Sequence, residues 1–137
     1  MQDKLLGNLE RHVDMWLGEI PWSFPLSGTE FVRFTIRSDE SGPTNDHKAT
    51  VSEFKQRYEE LWPFMSKELL KLNTAIEDLS NLSRLLKPRL LIFVPGVMGK
   101  EKFDITVAYE FKQDEPSSAG YFLNFIDWKI VSSIRAT

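Results

Sequence analysis

The first twenty residues carry hydrophobic side chains at helical spacing. Charged residues occupy the other faces of the same helical projection, a pattern typical of an amphipathic helix that buries one stripe. The sequence therefore predicts a first helix over residues 3–19, which ends before Pro21 because a proline biases the preceding residue away from helix. Residues 21–28 are predicted to form a loop. The hydrophobic positions of the helix are Leu5, Leu9, Val13, Trp16, Leu17 and Ile20.

A strand is predicted after this loop. Val32, Phe34 and Ile36 alternate with polar or charged side chains, which indicates a half-buried strand over residues 31–37 with one face toward a core. Residues 38–48 are rich in Ser, Gly, Pro, Asn and Asp. This composition is typical of a loop.

The middle of the chain is strongly helical. Thr50 and Glu53 match the capping box that starts many helices. Pro63 lies inside the helical pattern and predicts a kink or a break near Leu61. A further short helical segment is predicted through Leu82, Leu85 and Leu86. The hydrophobic stripe of the long helix consists of Phe54, Tyr58, Leu61, Met65, Leu69, Leu72, Ile76 and Leu79.

The last third of the chain predicts four strands. The first strand is continuously apolar and is expected at the centre of the sheet. A turn at residues 96–100 follows it, and the second strand alternates between apolar and polar side chains. The last two are close enough in sequence to form a hairpin that turns at Asp127 and Trp128. The four strands cover residues 89–95, 103–111, 121–126 and 129–135.

This order of elements places helices early and strands late, which favours an α+β fold over an alternating α/β fold. We expect an antiparallel sheet of about five strands. A long, kinked helix covers one face of it, and an amphipathic helix precedes it. The length of 137 residues fits a single domain spanning residues 1–137.

Composition narrows the function classes. The chain has no cysteine, so disulfides and thiolate chemistry are excluded, and a cytoplasmic location is expected. The formal charge is −3, with 17 basic residues scattered among 20 acidic ones. Nucleic-acid binding normally needs a concentrated basic face, so nucleic acid is not an expected partner. No apolar run approaches the roughly 20 residues of a membrane-spanning helix, and none resembles a signal peptide.

No catalytic constellation is visible in the sequence. His12 lacks a second ligand at helical spacing, and His47 lies in the loop beside Asp46. The glycines around Gly96 and Gly99 lack the spacing of a phosphate loop. We therefore expect no catalytic residues, no metal site and no cofactor.

Surface residues are the remaining candidates for function. Trp128 at the predicted hairpin turn is the first candidate, because a core position is hard to reach from a turn and tryptophan is enriched in interface hot spots. Trp62, before Pro63, is the second. For any one tryptophan, core packing remains the alternative. The predicted partner-binding residues are Asp127, Trp128, Asp114, Glu115, Asp39, Glu40 and Trp62, of which the acids fall in loops or turns.

Three segments carry a resemblance to known proteins. They are the helix SEFKQRYEELWPFMSKELL, the strand entry at residues 86–90 and the closing hairpin DEPSSAGYFLNFIDWKIVSSI. From Glu30 onward the chain resembles a group of small bacterial domains of unknown function that are associated with polymorphic-toxin immunity. Those domains often carry glycine at the tight turn where this chain has Asp127 and Trp128. The resemblance implies immunity-type binding and supplies no active residues.

Three functions follow as expectations. The first is a non-enzymatic binding protein that occludes a protein partner, such as an immunity protein neutralising a basic toxin domain through electrostatic complementarity. The second is a small-molecule-binding or enzymatic α+β domain with a pocket between helix and sheet, lined by Tyr58 or Tyr109 and gated by His47. The third is a homodimeric structural protein that uses an edge strand or the first helix.

Overall fold

The computed structural model describes residues 1–24, 28–72, 86–91, 96–98, 101–111 and 120–136. The fold is α+β, as the order of elements predicted. Within these ranges, one helix, α1 (Asn45–Leu72), accompanies short antiparallel sheets. The strands are β1 (Gln2–Asp3), β2 (Gly7–Asn8), β3 (Glu10–His12), β4 (Met15–Phe24), β5 (Gly28–Arg37), β6 (Leu86–Leu91), β7 (Gly96–Met98), β8 (Glu101–Phe103), β9 (Ile105–Phe111), β10 (Gly120–Ile126) and β11 (Lys129–Ala136).

The N-terminal segment is not a helix. The predicted helix over residues 3–19 is replaced by β1, β2, β3 and the first half of β4. Strands β3, β4 and β5 form a three-stranded antiparallel sheet. Trp16, Ile20 and Trp22 are buried. Their even spacing is that of one face of a strand, and the four residues from Trp16 to Ile20 also fit one step along a helix face. Val13, which helical spacing assigned to the buried stripe, is 88% exposed with a φ of 59°. Pairing along all of β4 with β5 overrides the local helical pattern.

Pro21 lies inside β4, although residues 21–28 were expected to form a loop. It pairs with Phe31 of β5, whereas β3 pairs only with residues 15–17 of β4. At Pro21, β4 is therefore paired on one side alone. A proline is tolerated at such an edge position because its missing N–H leaves no ladder hydrogen bond unmade. The strand predicted over residues 31–37 is confirmed within β5, with Val32, Phe34 and Ile36 buried.

Helix α1 begins earlier than the capping box at Thr50 predicted. The Thr44 Oγ1 accepts a hydrogen bond from the His47 backbone N–H at 3.2 Å, and the His47 Nδ1 accepts one from the Thr44 N–H at 3.0 Å. This reciprocal pair is a capping box in which histidine takes the place of glutamate. The Thr50 hydroxyl instead donates to the Asp46 carbonyl one turn back, at 3.0 Å. The predicted loop is therefore shorter than residues 38–48.

Helix α1 passes through Pro63 without a break. The Ser66 hydroxyl donates to the Pro63 carbonyl at 3.1 Å. The predicted stripe is buried at Phe54, Tyr58 and Leu61, and further on at Met65 and Leu69. Ile76, Leu79, Leu82 and Leu85 lie outside the described residues. Leu86, predicted to be helical, begins β6 instead.

The C-terminal strands form a four-stranded antiparallel sheet in the order β11-β10-β9-β6. The antiparallel pairing is as predicted, and the hairpin turns between Ile126 and Lys129 as expected. The prediction of a single sheet of about five strands is wrong, because β3, β4 and β5 form a separate sheet. β6 lies at one end of its sheet and not at the centre, with its backbone alongside β5. The turn predicted at residues 96–100 is wrong at Gly96–Met98, which form β7 and pair with β8.

The core lies between α1 and the two larger sheets. Helix α1 packs on β10 and β11, and the buried face of β5 contributes to the same cluster. Within the described ranges, no helix combines the length and the apolar composition that a membrane crossing needs. The core is built from Ile20, Trp22, Val32, Phe34, Ile36, Val51, Phe54, Tyr58, Met65, Leu69, Ile105, Val107, Tyr109, Tyr121, Leu123 and Phe125, among others.

Candidate functional site

The β10–β11 hairpin is closed by a strained two-residue turn. Ile126 pairs with Lys129, so only Asp127 and Trp128 connect the strands. Their φ angles are 50° and 64°, the left-handed values of a type I′ turn, where Asn and Gly are strongly preferred. A bulky L-residue there costs roughly 1–2 kcal/mol. Strained backbone conformations that the surrounding structure maintains often occur at functional sites, so Trp128 is a candidate functional residue.

Contacts from two sides fix this turn. The Asp104 Oδ2 accepts a hydrogen bond from the Asp127 backbone N–H at 2.7 Å. The Asp104 N–H in turn donates to the Phe125 carbonyl at 2.9 Å. The loop between β8 and β9 therefore holds the turn from the side of the sheet.

Helix α1 holds the indole of Trp128. The ring stacks on Phe54 with centroids 6.3 Å apart and an interplanar angle of 18°. The Arg57 guanidinium lies 4.7 Å from the indole centroid, within cation–π range. Arg57 is itself oriented by Glu53, with N and O atoms 2.8 Å apart. The half-buried ring consequently has one defined position.

A groove of about 510 Å³ opens between α1 and the hairpin. Leu61, Phe125 and Ile130 supply buried or half-buried apolar surface, and Trp128 forms one side. Phe64 extends from α1 with 65% of its surface exposed. The charged lining consists of Arg57, Glu60, Lys67, Glu68 and Lys129.

The charges on the two sides of the indole differ. Glu53 and Asp104 line a second, smaller cavity of about 160 Å³ that also contacts Trp128, and Asp127 is exposed beside them. Lys67 and Lys129 lie on the groove side. A partner on this surface would meet mainly carboxylates on one side of the indole. On the groove side it would meet both lysines and the glutamates Glu60 and Glu68.

Around Tyr58 and Tyr109, the interface between α1 and the sheet is closed. Tyr58 and Tyr109, which were expected to line a pocket there, are each 2% exposed, and their hydroxyls are hydrogen-bonded to each other. Burial raises the pKa of both hydroxyls, and for Tyr58 the neighbouring Tyr109 raises it further. His47, expected to gate the pocket, is buried and caps α1. The two tyrosines and His47 therefore stabilise the fold at these positions.

The other predicted binding residues are dispersed. Trp62 is half-buried, with its ring 6.3 Å from Tyr58 and 6.2 Å from Tyr109. Asp39 and Glu40 lie in the loop before α1, and hydrogen bonds from Ser41 lower the pKa of the Asp39 carboxyl.

Trp128 lies beside residues 50–57 of α1, and Asp127 precedes it in the hairpin turn. Asp114 and Glu115 lie outside the described residues. Of the predicted set, the structure thus places Asp127 and Trp128 together at one site.

Arg57, Phe64 and Lys67 belong to this surface and were not identified from the sequence. Phe64 carried a usable signal, because it falls outside the buried stripe of its own helix next to Met65. An aromatic residue on the polar face of an amphipathic helix is a candidate contact residue. Arg57 gave no such signal, since only the folded hairpin brings Trp128 onto it.

A larger and more open cavity, about 750 Å³, lies along the β3–β4–β5 sheet. Phe31 is exposed at its margin, and Arg33 and Glu19 form an ion pair across it at 3.3 Å. Two of its apolar lining residues, Leu9 and Phe34, are buried in the core. Among the residues that the structure describes, no group of three His, Asp or Glu side chains could hold a metal ion.

Comparison of the chain with protein-family models, with curated proteins and with solved structures finds no match.

Proposed function

We propose that this chain is a non-enzymatic protein-binding domain and that the Trp128 surface is its contact site. The Trp128 surface comprises the Asp127–Trp128 turn and the adjoining groove with Phe64. The supporting observation is the indole held in a strained turn, between Phe54 and Arg57, at the side of an open groove. Tryptophan and arginine in such positions dominate the energetics of many interfaces.

Preorganisation supports the same proposal. An interface side chain that must be immobilised on binding costs about 0.5–1.5 kcal/mol. Trp128 avoids most of that cost, because its ring is already stacked and its turn is already hydrogen-bonded to Asp104. The exposed ring of Phe64 adds apolar area that has no role in the core.

The charges indicate how a partner would be oriented. Its surface should present basic groups to Asp104 and Asp127 and acidic groups to Lys67 and Lys129. Such an arrangement favours one binding orientation and disfavours its reverse. At longer range the net charge of −3 attracts a basic protein.

The biological role that we propose for this binding is immunity, in which the domain occludes a basic toxin domain. Its support is the resemblance of the helix, the strand entry and the closing hairpin to immunity-associated bacterial domains, together with the acidic net charge. Occlusion needs a stable complex and no chemistry from this chain. The two parts of the proposal are therefore tested separately.

Site-specific photocrosslinking tests the contact surface. A benzophenone amino acid replaces Phe64 in one variant and Phe31 in a matched control, since Phe31 is 72% exposed but borders the other cavity. Crosslinking in the native host should give a stoichiometric adduct from position 64 and none from position 31. The same adduct from both positions, or from position 31 alone, would overturn the site.

Affinity measurements with the captured partner then test the indole. Trp128→Ala should weaken binding by about 100-fold, the loss of roughly 2.7 kcal/mol expected for a hot-spot residue. Phe31→Ala should leave affinity unchanged. Toxicity of the captured partner when expressed alone, relieved by wild-type chain and not by Trp128→Ala, tests immunity. A harmless partner rejects immunity and leaves the binding function standing.

A further inference from the structure

The outer edge of β11 lies beside the groove, and no described strand pairs with it. β11 is the last strand of its sheet, and among the described residues no backbone group outside β10 bonds to it. It is eight residues long, whereas natural edge strands are usually shortened, bulged or covered against pairing. One bulge, at Val131, lies near its start. The rest of the strand is regular.

The direction of its backbone groups follows from its neighbours. The Phe125 carbonyl bonds to the Asp104 N–H on the β9 side of β10. By the alternation of an antiparallel ladder, Leu123 and Tyr121 also direct their polar groups toward β9. Their partners across the hairpin are Ser133 and Arg135. These two residues therefore direct their N–H and C=O groups outward.

The same residues direct their side chains toward α1. The Ser133 hydroxyl donates to the Glu68 carboxylate at 3.0 Å, and Arg135 lies over the Tyr121 ring at 5.8 Å. A strand added to this edge would direct alternate side chains to the same side. Phe64 and Lys67 of the groove are on that side.

The charged residues of β11 itself are basic. Lys67, Lys129 and Arg135 lie on or beside it, and none of them forms an ion pair within the described part of the chain. Of the two glutamates that line the groove from α1, Glu68 is bonded to Lys71 and Ser133, and Glu60 is the other. An incoming strand with carboxylates would therefore be attracted. A second copy of β11, paired antiparallel about Ser132, would instead oppose Lys129 and Arg135 and be repelled.

We infer that the partner docks by strand addition, in which an extended segment with alternating apolar and acidic residues pairs with β11. Its backbone bonds to Ser133 and Arg135, one apolar side chain fills the groove against Trp128 and Phe64, and its carboxylates face Lys67 and Lys129. Main-chain bonds supply affinity in this mode and the side-chain pockets supply specificity. This inference rests on the proposed function, because it uses the same groove.

Peptide binding tests it directly. The probe is an acetylated, fluorescein-labelled octapeptide in which leucine alternates with glutamate, measured by polarisation. Two further peptides carry N-methyl groups on alternate amides. In one peptide the modified amides point to one edge of the extended peptide, and in the other they point to the opposite edge. One of them should bind at least tenfold more weakly and the other should bind like the parent. A version with lysine in place of glutamate should also lose at least tenfold.

A matched pair of variants tests the edge in the full chain. Arg135→Pro removes an outward N–H, whereas Arg135→Ala removes the charge alone. Arg135→Pro should bind at least tenfold more weakly than Arg135→Ala at an equal melting temperature. Failure of the parent peptide to bind, or equal loss from both N-methylated peptides, overturns strand addition.

The two proposals fail in different ways. Loss of peptide or partner binding in Trp128→Ala, with Arg135→Pro equal to Arg135→Ala, retains the Trp128 surface and rejects strand addition. Loss through Arg135→Pro with no effect of Trp128→Ala rejects the Trp128 surface. A dimer in light scattering that Arg135→Pro abolishes means that β11 pairs with its own copy, and this outcome also overturns the inference.

Discussion

Replacement of Trp128 by glycine should give a more stable protein than replacement by alanine. At most positions the order is reversed, because glycine loses more backbone freedom on folding and costs about 0.5–1 kcal/mol relative to alanine. Trp128 has a φ of 64°, where alanine retains the left-handed strain and glycine does not. The difference should be about 1 kcal/mol in favour of glycine.

Both variants lose the packing of the indole. A half-buried tryptophan that removes on the order of 100 Å² from water contributes about 2.5 kcal/mol at 25 cal/mol per Å². The Arg57 contact adds about 0.5 kcal/mol. Trp128→Ala should therefore lower the free energy of unfolding by about 3 kcal/mol and Trp128→Gly by about 2 kcal/mol.

Urea unfolding followed by circular dichroism measures the difference. With a slope near 2 kcal/mol per M, the midpoints should differ by about 0.5 M. Phe64, an exposed residue of α1, supplies the control pair, since Phe64→Gly should be less stable than Phe64→Ala by about 1 kcal/mol. If alanine matches or exceeds glycine at position 128, the strained turn is refuted.

Three further outcomes are expected. Thr44→Ala should lower the free energy of unfolding by about 1 kcal/mol in urea, and Thr50→Ala should change it little, because Thr44 caps α1; equal losses would contradict that cap. Pro63→Ala should raise the melting temperature, because the alanine N–H can donate the helical hydrogen bond that proline lacks. A melting temperature below that of the wild-type chain would contradict this expectation. Above about pH 10, the free energy of unfolding should fall by about 1.4 kcal/mol per pH unit for each of Tyr58 and Tyr109. The pKa of each hydroxyl is raised in the folded protein and returns to its ordinary value on unfolding, so the unfolded chain loses its protons first and is favoured as the pH rises. The double phenylalanine variant should lose that slope, and a persistent slope would point to other groups.

Strand periodicity could be read from the sequence where each strand has one buried face. The alternation of β5 predicted its buried residues, and the turn at Asp127 and Trp128 was placed correctly. The first nineteen residues could not be predicted in the same way. Hydrophobic residues four apart satisfy both a helix and a strand. Pairing with β5, the next strand along the chain, decides between them.

The candidate site was predicted in part. Trp128 was identified from its place at a turn, but its contacts with Phe54 and Arg57 depend on how the hairpin lies against α1. Trp62, within the predicted helix before Pro63, was the second candidate. Packing separates the two tryptophans, because the Trp62 ring contacts the core tyrosines and the Trp128 ring borders a groove.

The sequence by itself determined the α+β class, the buried stripe of α1 and the C-terminal hairpin, because local periodicity and turn spacing encode them. It also determined the absence of cysteine chemistry. Tertiary structure alone decided that the N terminus pairs as strands, that His47 caps a helix, and that Tyr58 and Tyr109 meet in the core. It alone joined Trp128, Phe64 and the edge of β11 in one surface, since contacts between distant residues have no local signature.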